Sequence, residues 1–329
     1  MTVRTGAALL AVVMLLGVAA GFAWVATSGP GRQGPGLSPA PAAPGPTASG
    51  PEALASPLGS ADSSPGSAGS IPPGSIVPSP GASVPPSATP TPTPYAGPLT
   101  RQVPVLMYHR IADPAPGTPY PGLYVSPSSF DAQMHALHDA GWRTITAGQL
   151  GAAMTANRPV PVRTFVVMFD DGYEDNFTNA LPILQRYGYV ATFSVVAAGG
   201  GSMMTSPQLA ALLAAGMEVG NHTLNHRNVA HLAGSTLIQQ IDGGAARIEA
   251  RLATQGTTYV PRTFVYPSGH VGLAALALLQ TDGYTDAFTE VPGVALIGTT
   301  APLQIPRIRV SRFEDLAAFL ASMPAEPKP

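Results

Sequence analysis

Two adjacent carboxylates, Asp170 and Asp171, are the first residues whose position suggests chemistry. They follow a short uncharged run of β-branched and aromatic residues, 164–169, and Gly172 comes directly after them. Such a run predicts a buried strand, so the two carboxylates would lie close together at the strand's exit. Like charges that close are unfavourable unless a cation or a shared proton lies beside them. The alternative is an Asp-Gly turn in which the carboxylates cap the next helix.

Two histidines four residues apart, His222 and His226, supply a second set of candidate ligands. In a helical turn or a tight loop, imidazoles at this spacing can face the same point. With a carboxylate from another strand they would form a His-His-Asp set, which suits a divalent metal that keeps positions open for water and substrate. Only one of the adjacent aspartates is needed as a ligand, and the other would then be free to act as a general base. The alternative is a pair of exposed loop histidines.

Strands and helices alternate along the part of the chain that must position these residues, about 103–323. Apolar β-branched runs such as 103–109 are followed by segments with apolar residues at helical spacing, such as 235–253. Pro182 predicts a kink in one helix, and Ser206 predicts the N-cap of the next. About eight strand–helix repeats predict a parallel sheet covered by helices. We therefore expect a closed or nearly closed (β/α) barrel, with an open flavodoxin-like sheet as the alternative.

The carboxyl ends of barrel strands are where catalytic groups gather. Four predicted strands end in polar residues: His109 after the first, Asp170 and Asp171 after the third, His222 and His226 after the fifth, and Ser268 after the sixth. Polar groups that four strands deliver to one rim are harder to explain as helix caps than any one of them alone. The pattern favours a metal site with a general base at this rim.

Three short motifs, in this order, resemble those of the polysaccharide deacetylases, carbohydrate esterase family 4: FDDG (169–172), HTLNH (222–226) and FVYPSG (264–269). The resemblance extends over nearly all of 103–323. It implies an α/β fold, a distorted (β/α) barrel of about seven to eight strands. It also implies metal-dependent removal of N- or O-acetyl groups from sugars, with zinc as the usual ion and cobalt, nickel or manganese as alternatives.

Carried over residue by residue, the resemblance implies a role for each of the rim residues. Asp170 would be the general base, and one divalent ion would be held by Asp171, His222 and His226. The backbone N–H of Ser268 would help to hold the oxyanion. The family usually has Tyr at this position, so the chain departs from the pattern: the backbone donor is retained, but a wall of the sugar site is put in doubt.

The catalytic acid of the family usually comes from a late histidine motif, yet no histidine follows His270 in this chain. A permuted branch of the family carries that motif first, and PVLMYHR (104–110) resembles it. His109 is therefore the predicted acid, and the alternative is a strand-end histidine that bonds a loop. An arginine often orients the base in this family. We predict Arg307 for that role. The alternative is that Arg307 or Arg309 forms a structural charge pair.

The N-terminal residues have a different composition from the rest of the chain. Residues 7–26 carry no charge and follow Arg4. Such a run is about long enough to cross a bilayer, and it exceeds the usual signal-peptide core of about 7–15 residues. We predict that 1–27 is an uncleaved signal-anchor that leaves the C-terminal part outside the membrane. A cleaved signal peptide, and hence a secreted protein, is the alternative.

A proline-rich segment follows. Residues 28–100 hold 19 of the chain's 37 prolines and only three charged residues, with few large apolar side chains. Because such a composition cannot bury a core, it predicts a disordered, partly polyproline linker. The remaining residues, 101–329, form the predicted catalytic domain.

These features together predict an extracellular, metal-dependent deacetylase that removes N-acetyl groups from a GlcNAc-containing polysaccharide. They do not distinguish an exopolysaccharide from peptidoglycan or a chitin-like chain. A catalytically weak glycan-binding module and an amidase for a non-sugar C–N bond are the alternatives. A net charge of −2 gives no reason to expect nucleic-acid binding. We expect a monomer that contacts the membrane through its N-terminal segment.

Overall fold

The structure is a computed structural model that describes residues 97–325. The predicted signal-anchor 1–27, nearly all of the predicted linker 28–100 and residues 326–329 lie outside the described residues. Within 97–325, every helix is too short or too polar to cross a membrane.

Fourteen strands occur in the described part of the chain. In chain order they are β1 (Leu99–Thr100), β2 (Gln102–Val103), β3 (Val105–Tyr108), β4 (Arg110–Ile111), β5 (Tyr124–Val125), β6 (Arg143–Thr144), β7 (Val160–Pro161), β8 (Thr164–Phe169), β9 (Thr192–Val195), β10 (Glu218–Asn221), β11 (Thr263–Val265), β12 (Asp286–Pro292), β13 (Ala295–Leu296) and β14 (Ile305–Arg309).

Seven α-helices accompany these strands in the same residues. They are α1 (Pro127–Asp139), α2 (Ala147–Thr155), α3 (Leu181–Arg186), α4 (Ser206–Ala214), α5 (Gly234–Ala253), α6 (Leu273–Thr281) and α7 (Leu316–Ser322). A π-helical turn, Asn176–Ala180, leads directly into α3, and 3₁₀ turns cover Pro121–Leu123 and Pro267–Gly269.

Seven parallel strands close a barrel. Their order is β3, β14, β12, β11, β10, β9 and β8, and β8 pairs back onto β3. Strand β6 adds to the start of β8, whereas β9 pairs with its end. This change of partner along β8 distorts the barrel. The prediction of a distorted (β/α) barrel of about seven to eight strands is confirmed, and the open-sheet alternative is wrong because β3 and β8 pair over four residues.

Side-chain alternation along the strands decides which groups enter the barrel. On β8, Val166 and Met168 pack in an inner apolar cluster, while the residues between and beside them join an outer cluster beneath the helices. Asp170 continues the inner series just past the end of the strand. On β14, Ile305 belongs to the same inner cluster and Arg307, two residues on, is buried. The alternation therefore brings a carboxylate and a guanidinium to the same rim.

The start of α4 and the position of Pro182 bear on two details of the sequence prediction. The predicted N-cap Ser206 is wrong: Thr205 caps α4, because its hydroxyl accepts from the backbone of Gln208 while the Gln208 side chain accepts from the Thr205 N–H. Pro182 lies in the first turn of α3, directly after the π-helical turn, and helical residues run without a break from 174 to 186 on both sides of it. The predicted kink there stays a prediction.

The folded part begins slightly before residue 101. Leu99 and Thr100 form β1 and pair antiparallel with Pro161 and Val160 of β7. Strand β2 pairs with β13 in the same manner. These short pairings lie outside the barrel sheet and tie the incoming chain to it.

Candidate metal centre and catalytic site

Three candidate ligands meet at the carboxyl end of the barrel. Asp171 follows β8, and His222 and His226 follow β10. The Oδ1 atom of Asp171 lies 3.5 Å from Nε2 of His222 and 3.3 Å from Nε2 of His226. One ligand atom from each residue falls within 4.8 Å of the others. Asp171 and His222 are buried, whereas the His226 side chain is 45% exposed, so the set is open on one side.

The orientation of His222 is fixed by a backbone contact. Its Nδ1 donates to the carbonyl oxygen of Val265, 2.9 Å away at the end of β11. Because Nδ1 is used by Val265, Nε2 is the nitrogen that faces Asp171 and His226. Two imidazoles and a carboxylate with an open side fit a divalent ion that keeps positions for water and substrate.

The charges of the three ligands are coupled. Burial alone would raise the pKa of Asp171, but a hydrogen bond to His222 and the charges of the nearby histidines lower it. Burial alone would lower the pKa of His222, but the contact with Asp171 raises it. Burial and the charge of His222 lower the pKa of His226. The carboxylate of Asp171 thus attracts both imidazoles, and a metal bound at Nε2 of His222 would compete with a proton at that atom.

Asp170 has a separate partner. Its two carboxylate oxygens accept from Nη1 and Nη2 of Arg307, both at 2.8 Å, and Nε of Arg307 donates to the carbonyl of Thr289 at 2.7 Å. Burial raises the pKa of Asp170, but the charge and hydrogen bonds of Arg307 outweigh it and lower the pKa. Asp170 is therefore ionised, and each oxygen keeps a lone pair that Arg307 does not use.

His109, the predicted acid, lies at the end of β3. Its backbone carbonyl accepts from Nδ2 of Asn176 at 2.8 Å, which ties this strand end to the segment after β8. Burial lowers the pKa of His109, and the charges of Asp170 and Asp171 partly oppose that shift.

A cavity of about 360 Å³ collects these side chains. Its walls include five predicted site residues, His109, Asp171, His222, His226 and Ser268. Four further residues that the sequence did not predict complete it: Tyr120, Leu123, Glu290 and Arg309. The two remaining predicted residues, Asp170 and Arg307, form the buried ion pair beneath Asp171.

Ser268 sits in a tight turn at the edge of the cavity. Its backbone is left-handed, with φ 61° and ψ 15°, and Gly269 follows with φ 69°. A Cβ at Gly269 would lie 2.5 Å from the backbone nitrogen of Glu290, so only glycine fits there. The turn thus packs directly on β12. The role of the Ser268 N–H as an oxyanion donor stays a prediction.

Left-handed backbone is concentrated at this rim. Seven non-glycine residues between 97 and 325 have φ between 49° and 71°, and four of them line the cavity: Tyr120, Asp171, His226 and Ser268. A fifth, Thr223, directly follows His222. Residues with side chains adopt this conformation at a cost of about 1 kcal/mol or more, and such residues cluster at functional sites.

A second layer of contacts was not predicted from the sequence. The Arg110 guanidinium lies 4.1 Å from the ring centroid of Tyr173, and Arg110 Nε donates to Asp175 at 2.6 Å. Burial raises the pKa of Tyr173 to about 12, and the negative charge of Asp171 and a hydrogen bond to it act in the same direction. Tyr173 therefore supports a candidate metal ligand. The sequence does carry a signal for this contact. Arg110 directly follows His109, Asp175 lies shortly after FDDG, and the two side chains have opposite charges.

The fold and site define a (β/α)-barrel protein with an Asp-His-His centre suited to a divalent metal. The sequence model of the polysaccharide deacetylase family matches residues 157–287. That stretch contains the three candidate ligands, Asp170 and Ser268, but neither His109 nor Arg307. Over that stretch the chain is similar to the polysaccharide deacetylase family.

Known relatives are similar to part of the chain. YxkH of Bacillus subtilis (strain 168), named as a polysaccharide deacetylase, is 29% identical over 198 residues, which are 59% of this chain and 66% of that protein. The poly-beta-1,6-N-acetyl-D-glucosamine N-deacetylase of Escherichia coli (strain K12) is 24% identical over 258 residues, which are 65% of this chain and 37% of that protein. The chain thus spans less than two thirds of the length of either relative.

A solved structure shows the same fold. The Streptococcus pyogenes deacetylase PplD in complex with acetate matches with a TM-score of 0.62 and 23% identity, over 68% of this chain and 99% of that one. At this identity the likeness concerns the fold alone.

Proposed function

We propose that the barrel is a metal-dependent N-deacetylase that acts outside the cell on a polysaccharide containing N-acetylglucosamine. The observation that carries the proposal is the pairing of an ionised Asp170, held by Arg307, with the adjacent set of Asp171, His222 and His226. The candidate base and one candidate metal ligand are therefore adjacent residues with different partners.

The base acts on the attacking water. A divalent ion held by Asp171, His222 and His226 would polarise the acetyl carbonyl and make a bound water more acidic. Asp170, still ionised, accepts the proton of the attacking water through a lone pair that Arg307 leaves free. Arg307 fixes the plane of the carboxylate, so the base keeps its direction.

Two further groups complete the reaction. The Ser268 N–H, at the cavity edge, donates to the oxygen of the tetrahedral intermediate. His109 donates a proton to the departing amine nitrogen as the C–N bond breaks, because an unprotonated amine anion is a poor leaving group. The products are acetate and an amino sugar.

Two features support the substrate and its location. The E. coli relative that is 24% identical to this chain is named for poly-beta-1,6-N-acetyl-D-glucosamine. The uncharged segment 7–26 would export the domain, and the linker 28–100 would let it reach a polymer beside the membrane. Zinc is the proposed ion.

Acetate release by the purified full chain tests the proposal. We expect release from poly-β-1,6-N-acetylglucosamine, loss of that release after chelation, and its recovery with Zn²⁺. Peptidoglycan and chitin oligomers, assayed in parallel, rank the polymers. Asp170→Asn is the matched inactive control. Glycan binding without acetate release from any polymer would instead favour a binding module, and release from small amides alone would favour an amidase.

A further inference from the structure

An exposed aromatic side chain stands in the wall of the catalytic cavity. Tyr120 lines the cavity together with His109 and the three candidate ligands, yet its side chain is 78% exposed. Its backbone is left-handed, with φ 54° and ψ 53°. Left-handed backbone in a residue with a side chain is typical of functional sites, and this ring lies at the wall of a cavity, so Tyr120 is a candidate for contact with a ligand.

The loop that carries Tyr120, residues 112–123, is held firmly at its base. Strands β4 and β5 on either side of it pair with each other, with Ile111 opposite Val125. The Ile111 N–H donates to Oδ1 of Asp175 at 2.8 Å, and its carbonyl accepts from Nδ2 of Asn179 at 2.8 Å. These anchors belong to the segment directly after Asp171, so loop and metal centre share one support.

The loop itself has little freedom. Four of its residues are proline: Pro114, Pro116, Pro119 and Pro121. Gly122 faces the ring of Phe313, since a Cβ there would lie 3.4 Å from Cε2 of that ring. Phe313 is itself 74% exposed. The loop thus brings the exposed ring of Phe313 against Gly122, two residues after Tyr120.

A pre-ordered aromatic ring beside a polar cavity fits a ligand with both apolar and polar faces. A pyranose has such faces, because its axial C–H groups form an apolar surface and its hydroxyls point outward. A sugar whose acetyl group reached the metal centre would leave its neighbour in the polymer next to Tyr120.

We propose that Tyr120 is the floor of a sugar-binding subsite that stacks the pyranose next to the residue being deacetylated, and that Phe313 extends this subsite along the polymer. The inference rests on the proposed function and deepens it. It adds a second sugar position to the site and names the residue that forms it.

Kinetics and binding of an N-acetylglucosamine tetramer test the subsite. Tyr120→Ala should raise KM, and also Kd measured by calorimetry in an Asp170→Asn background, about tenfold. Tyr120→Phe should restore both values to within about twofold, because stacking needs the ring and not the hydroxyl. Leu273→Ala, which removes a side chain that is 86% exposed and does not line the cavity, is the matched control and should change neither.

The outcomes separate the subsite from the proposed function. Unchanged KM and Kd in Tyr120→Ala would overturn the subsite while acetate release stands. A loss on the activated ester 4-nitrophenyl acetate as large as the loss on the tetramer would also overturn it, since that ester is too small to use a second sugar position. Tetramer binding that depends on Tyr120 in a chain that releases no acetate would support the subsite and refute the deacetylase.

Discussion

At the scale of residues, the structure explains how two adjacent aspartates, Asp170 and Asp171, can have different roles. Asp170 keeps the alternation of β8 and enters the barrel, where Arg307 binds it through two hydrogen bonds. Asp171 has φ 71°, and this turn directs its carboxylate over the rim toward the histidines. The like charges that made the pair unfavourable are therefore compensated separately.

Single substitutions should separate the two aspartates. Asp170→Asn should retain the metal and lose turnover, because no base remains. Asp171→Asn should lose much of the metal affinity, because one of three ligands is gone. Metal content after dialysis and acetate release measure the two effects. Equal loss of metal in both variants would contradict the division of roles.

His109 should matter most for poor leaving groups. His109→Ala should keep the metal but lose at least about 10²-fold in turnover of N-acetyl sugars, the lower end of what an acid contributes. An activated acetate ester, whose leaving group needs no proton, should lose far less. Equal losses would show that His109 is not a leaving-group acid, and no loss on either substrate would show that the acid is another group.

The buried ion pair should dominate local stability. Arg307→Met leaves the Asp170 carboxylate buried without a counter-ion, and the unfolding free energy should fall by about 3–5 kcal/mol. The double variant Arg307→Met/Asp170→Asn should recover part of that loss, since the uncompensated charge is gone. Urea unfolding measures both. A single variant as stable as the parent would contradict the pairing.

The site residues that can be predicted from the sequence are those that follow the ends of buried strands. Asp171, His222 and His226 could be predicted because polar groups after buried strands must meet at one rim. The same rule applies to Glu290, which lies on β12 two residues after the inner residue Phe288. Tyr120 could not be found, because it lies in a proline-rich loop that carries no periodic signal.

At the scale of elements, the amino end of the barrel carries a second polar set. The Glu218 carboxylate, at the start of β10, accepts from the Gly148 N–H at the start of α2 and from the hydroxyls of Thr192 and Thr263, at distances of 2.6–2.9 Å. Asp286, at the start of β12, is fully buried beside it. Burial and the charge of Glu218 raise the pKa of Asp286 to about 7.

This carboxyl group should make stability depend on pH. In the unfolded chain Asp286 ionises near its ordinary pKa of 3.8, whereas in the folded protein it stays protonated until about pH 7. Between pH 4 and 7 the folded state therefore carries a proton on Asp286 that the unfolded state has lost. The free energy of unfolding should fall as pH rises from about 4 to 7. Asp286→Asn should flatten that fall, with an effect on the order of 1–4 kcal/mol. Denaturant unfolding at pH 4.5 and 8 checks it, and parallel profiles for parent and variant would contradict it.

Element types were easier to predict than element ends. Long periodic segments such as α5 were found within one residue of their bounds because their apolar pattern is strong. Strands of two residues, β1 and β13 among them, have no pattern to read. The π-helical turn before α3 depends on contacts with the segment after β3, which no local propensity encodes.

At the scale of the whole molecule, the barrel depends on a few residues before its first strand. A chain that begins at residue 97 should release acetate from soluble oligomers as the full chain does. A chain that begins at residue 104 lacks β1 and β2, which pair with β7 and β13, and should melt several degrees lower. Thermal unfolding compares them. Equal melting temperatures would show that these pairings contribute little.

The left-handed backbone at Tyr120, Asp171, His226 and Ser268 has a consequence for the protein's evolvability. Glycine adopts this conformation more readily than any of these residues. A mutagenic screen that rewarded heat resistance alone would therefore drift toward glycine at these positions. It would yield a more stable barrel whose cavity had lost these four side chains. Thermal robustness and turnover are opposed at these four positions, and any engineering of this domain should hold them constant while it improves the remainder.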